Sequence, residues 1–163
     1  MRIKIFVTGG TIDSLSSSNL EKTPKFQNTY IPKLLKQSRI TKNYRIEILF
    51  LKDSRIITEK DRLRILEKCK NCKEDNIVIT HGTMTMPLTA KFLGRHKKNK
   101  TIVLVGSAIP AKKPNSDAKF NIGFALAAVQ MLPNGIYVAM NGNIFSWNNV
   151  KKNIKTGIFE KER

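Results

Sequence analysis

Short apolar, β-branched runs alternate along this chain with segments whose apolar residues recur at helical spacing. Residues 2–7 read as a strand closed by the turn Gly9-Gly10, and 45–51 as a second strand. Residues 77–80, 101–105 and 135–140 read as three more, the first two continuous apolar runs of the buried type. Helices are predicted over 31–37 with Pro32 in the first turn, over 59–71 behind the N-cap Thr58, and from Pro87 to about 95. A fourth helix, 120–132, is apolar almost all round. Asn141-Gly142 reads as a hairpin turn into a short partner strand, 144–147. Residues 13–30 read as a long polar loop of the kind that serves as a lid, and the stretch from 148 as weakly structured.

Strands that alternate with helices predict a parallel sheet covered on both faces, a doubly wound α/β fold of three layers with right-handed crossovers. Ligands of such sheets bind beyond the carboxyl ends of the strands, where the strand order reverses. In the order 2-1-3-4-5 that point lies between strands one and three. The loops there are Thr8-Gly9-Gly10-Thr11 and Thr80-His81-Gly82-Thr83. A helix as apolar as 120–132 needs cover on two sides, so a homodimer or larger assembly is expected.

Composition narrows the class. The 163 residues suggest a single domain, 1–163, with a basic tail from about 148. Hydrophobic residues make up 40% of the chain and are spread through it, which argues against a disordered polycation. No apolar run approaches the roughly 18 residues of a membrane span. The N-terminal apolar run is too short for a signal peptide, so a cytoplasmic protein without membrane contact is expected. The net charge of +18 is scattered and comes with no nucleic-acid-binding motif, so it reads as a solvated surface. Two cysteines cannot make a disulfide framework, and one CxxC is only half a zinc site.

The two unusual loops carry the chemistry. Each brings a glycine, which frees backbone N–H groups to face a ligand, and then a threonine. A threonine hydroxyl can attack a carbonyl if something removes its proton, and neighbouring N–H groups can hold the oxyanion. Neither GxxxxGK[ST] nor GxGxxG is present, HExxH is absent, and the histidines are only His81 and His96. Acyl transfer or amide hydrolysis therefore competes with a plainer reading, glycine turns with capping threonines.

Val7-Thr8-Gly9-Gly10-Thr11-Ile12 together with Val78-Ile79-Thr80-His81-Gly82-Thr83 resembles the paired motifs of the bacterial asparaginase/glutaminase family, the threonine amidohydrolases. Residues 101–107 and 115–145 are similar to the family's following strand, helix and strand, in the manner of short members that have only the N-terminal domain. The resemblance implies a flavodoxin-like sheet, a small-molecule amide substrate and no metal or cofactor. It implies Thr11 as nucleophile and Thr83 as second catalytic threonine, with Gly10 and Gly82 at the substrate. Ser54 falls where a serine holds the substrate carboxylate, and Arg55 where a glutamine is usual. Ser107 lies beside the position whose backbone meets the substrate amide. Phe26 or Tyr30 falls near the family's lid tyrosine.

Two departures bear on activity. Met84 stands where the family has an aspartate that binds the substrate ammonium and joins a Thr-Lys-Asp catalytic group. The family lysine is expected on the helix after the fourth strand, and residues 122–132 contain none. On this reading Thr83 lacks a base. A catalytically impaired binding module of the same fold is then the second reading, and a nucleic-acid binder the third.

Overall fold

In the computed structural model, which describes residues 2–15, 19–22, 29–96 and 99–163, strand β1 (Ile3–Gly9) runs through the middle of the sheet. Ile3, Ile5, Phe6 and Val7 are all fully buried, as a strand covered on both faces requires. It pairs in parallel with β3 (Tyr44–Lys52) on one side and β4 (Asn76–Thr80) on the other. Strands β5 (Thr101–Val105) and β6 (Gly135–Met140) continue the parallel ladder. Two antiparallel strands close the edges: β2 (Glu21–Lys22) on β3 and β7 (Asn143–Ser146) on β6. The order is β2-β3-β1-β4-β5-β6-β7, so the parallel core has the expected reversal beside its first strand.

Among the described residues, four α-helices complete the layers: α1 (Ile31–Gln37), α2 (Glu59–Asn71), α3 (Met86–Gly94) and α4 (Ala118–Met131). Helix α2 starts on a capping box in which Thr58 and Asp61 satisfy each other's backbone N–H groups. Helix α4 buries Asn121, Ile122, Ala125, Leu126, Ala128 and Val129. Its other face stays apolar and uncovered, with Phe120 62% and Met131 84% exposed and Phe120 stacked on Phe124.

Two stretches differ from the sequence expectation. The long polar loop contains β2, whose Glu21 and Lys22 register with Lys52 and Leu51. The stretch from 148, expected to be weakly structured, folds back on the domain. Val150 and Phe159 are buried, and β8 (Lys151–Lys152) pairs antiparallel with β9 (Phe159–Glu160). Asn141 Oδ1 accepts from Phe159 N at 3.0 Å, and Lys91 pairs with Glu162 at 2.8 Å. Two apolar anchors and these polar ties outweigh the basic composition that made the stretch look solvated.

Candidate active site

Three loops leave the carboxyl ends of β1, β3 and β4, and glycines let them meet. Gly10 has φ 88°, and a Cβ there would collide with the Gly82 backbone. A Cβ on Gly82 would lie 2.7 Å from Ser54 Oγ. Larger residues at either position would push the loops apart. After Gly10 the chain makes a 3₁₀ turn, Thr11–Asp13, and after β3 another, Ser54–Ile56, capped by Asp53. Thr85 bridges the second and third loops, donating from Oγ1 to Ser54 O at 2.7 Å and from its N–H to Ser54 Oγ at 3.3 Å.

The cleft between these loops holds about 440 Å³. It is lined by Gly10, Thr11, Ser54, Arg55, Gly82, Thr83 and Met84, so these sequence-predicted residues share one place. Ser107 does not join them. It is buried with its hydroxyl turned back to Ile109 O at 2.7 Å, and its neighbour Ala108 lines the cleft instead. Tyr30 sits at the start of α1 and is not a lining residue; Phe26 lies outside the described residues.

The fold-back of the C-terminal stretch supplies what the sequence reading found missing. Lys152 Nζ donates to Thr83 Oγ1 at 2.8 Å and lies 3.4 Å from Met84 Sδ. A lysine thus reaches Thr83 from β8 and not from the helix after the fourth strand, and the expectation that no lysine stands by Thr83 is corrected. In β8 the side chains alternate, so Lys152 points inward with Val150 while Lys151 faces solvent. Burial lowers the Lys152 pKa from its ordinary value, which favours the neutral amine a base must be. Sequence alone had one usable sign: apolar Val150 two residues before Lys152, the same-face spacing of a strand.

Behind the cleft, His81 is a fully buried anchor. Its Nδ1 lies 2.8 Å from Gly82 O and its Nε2 2.9 Å from Thr89 Oγ1, which also accepts from Arg62 Nε at 3.1 Å. Thr89 therefore donates to Nε2, and the proton of the neutral ring sits on Nδ1. Burial, reinforced by the Arg62 charge, pushes the His81 pKa down to about 4. Asp13 was not foreseen either. Its Oδ1 accepts from Thr29 Oγ1 at 2.8 Å and Tyr30 N at 2.9 Å, tying the start of α1 to the Thr11 turn. Burial raises its pKa.

A family model described as "Asparaginase, N-terminal" matches residues 2–158. The chain belongs to the asparaginase family. It is 30% identical over 165 residues to the probable periplasmic L-asparaginase of Haemophilus influenzae, covering 96% of this chain and 47% of that one. It is 32% identical over 166 residues to L-asparaginase 2 of Escherichia coli, with coverage of 96% and 47%. Among solved structures, L-asparaginase I of Vibrio cholerae superposes with a TM-score of 0.85 at 27% identity, covering 98% of this chain and 51% of the other. The chain spans about half the length of the curated relatives it matches.

The His81 anchor has a measurable signature. The unfolded chain binds a proton near pH 6.5, the folded one only near 4. Stability is therefore complete above about 6.5, falls as the pH drops between these values, and levels off below. The whole step is on the order of 3 kcal/mol. Urea unfolding at pH 7 and 4.5 should show a loss about 2–3 kcal/mol larger in wild type than in His81→Gln; equal losses would contradict the assignment.

Proposed function

We propose that this domain hydrolyses a carboxamide, L-asparagine or a related amide, to the acid and ammonia. The observation that carries the reading is the Lys152–Thr83 contact inside the cleft that also holds Thr11. Thr11 Oγ attacks the amide carbon, the C–N bond breaks, and the hydroxyl proton of Thr11 passes to the leaving nitrogen, which departs as ammonia. Water then cleaves the threonine ester, with Thr83 relaying the water proton to Lys152 and that proton returning to the Thr11 oxygen as it leaves. The oxyanion is held by N–H groups of the Thr11 and Thr83 turns, since that of Gly10 is committed to Lys52 O at 2.9 Å. The reaction calls for no metal or organic cofactor. Family membership and the paired threonines support this reading over an impaired binding module, which lost half its basis when Lys152 met Thr83.

A homodimer is part of the same proposal. The apolar stripe of α4, exposed at Phe120 and Met131 and half-buried at Phe124, fits a twofold partner better than solvent. Sedimentation at micromolar concentration should show a dimer or larger species that Phe120→Asp dissociates. A wild-type monomer would contradict it.

Thr11→Val, Thr83→Val and Lys152→Met should each lower ammonia release by about 10²-fold or more, the scale of a lost nucleophile or general base. Melting temperatures should hardly move. Undiminished turnover in any of the three would remove that residue from the mechanism.

A further inference from the structure

The charge lining the cleft says what kind of amide it accepts. Among the described residues, its ionisable lining consists of Asp53, Arg55, Lys112 and Lys152. The lone carboxylate is already spent. Asp53 Oδ1 accepts from the Arg55 backbone N–H and Nε, both at 2.9 Å, and Oδ2 from a terminal guanidinium nitrogen at 2.8 Å. These bonds from Arg55 also hold the Asp53 pKa below the usual carboxylate range. With Asp53 and Arg55 paired, the described lining of the cleft keeps the Lys112 charge and no uncommitted acid.

Beside Thr83, where the reacting amide must sit, stand the Lys152 amine and the Met84 thioether, 3.4 Å apart. An ammonium brought there loses water, and among the described residues no uncommitted carboxylate lines the cleft to offset that cost. A carboxylate has the opposite experience. Lys112 attracts it, and the Ser54 hydroxyl, which accepts from Thr85 N, still has its proton to donate. Met84 is 42% exposed at the cleft wall, so an apolar or acylated part of a substrate can lie along it.

Resting on the amidohydrolase reading, we propose that the substrate is an anionic amide with no free ammonium: a monoamide of a dicarboxylic acid, deaminated or N-acylated at the carbon that bears the ammonium in asparagine. Hydrolysis is balanced by water alone. The C–N bond of the carboxamide breaks, water supplies the new C–O bond, and ammonia leaves.

Titration calorimetry with succinamate, N-acetyl-L-asparagine and L-asparagine tests the charge, and ammonia release with the same three tests the reaction. Wild type should bind succinamate or N-acetyl-L-asparagine at least tenfold more tightly than L-asparagine. Met84→Asp, a change at an exposed wall position, should reverse that order, and Lys112→Gln should weaken succinamate several-fold. L-Asparagine bound as tightly as the two anions, or none of the three bound at millimolar concentration, would overturn the proposal. An unchanged order in Met84→Asp would do the same. Anions bound in preference without ammonia from any of them would uphold this inference and sink the amidohydrolase reading. L-Asparagine hydrolysed in preference would do the reverse.

Discussion

The close approach of three loops at the carboxyl ends of β1, β3 and β4 governs everything at the functional end of this domain. Parallel pairing in register brings the three strand ends side by side, and Gly10 and Gly82 then let the backbones of their loops touch. A side chain at either position would occupy the space where the next backbone runs. The two threonines and the Ser54 turn share one cleft because of that contact. The buried His81 and the Thr85 bridge keep the third loop from drifting, so the geometry is set by backbone bonds and one neutral ring, with little reliance on surface charge.

Burial then does chemical work in two opposite ways. It holds His81 neutral and inert as an anchor, and it lowers the Lys152 pKa so that, in the proposed reaction, an amine beside Thr83 can take a proton. The Met84 thioether matters to the second effect. A carboxylate in its place would stabilise the Lys152 ammonium, whereas a neutral sulfur leaves desolvation unopposed. A thioether where the resemblance implies an acid thus favours the free amine and, on the proposed reading, a ligand without an ammonium.

Much of this was legible from local pattern. Buried-type runs such as 101–105, the Thr58 cap and the paired glycine-threonine loops announced the strand order and the place of the site. Lys152 was not legible, because one lysine among several in a basic stretch differs from its neighbours only through long-range docking. Val150 and Phe159 insert into the core, and that insertion aims Lys152 and not Lys151 at Thr83. Ser107 stays beside the cleft and not in its lining for the converse reason: a polar residue beside a site can satisfy its hydroxyl on its own loop. Asp13 escaped notice because its burial depends on Thr29 and Tyr30, which return to it from beyond a long intervening segment.

The account stands on Lys152 being a desolvated amine held against Thr83. NMR titration of lysine labelled with ¹³C at Cε, with the Lys152 signal assigned by its absence from Lys152→Met, reads that state directly. The midpoint should fall clearly below the ordinary lysine value of about 10.4, apart from the other lysines. A Lys152 signal that titrates with the surface lysines would contradict the docking of the C-terminal stretch and the base assigned to Thr83.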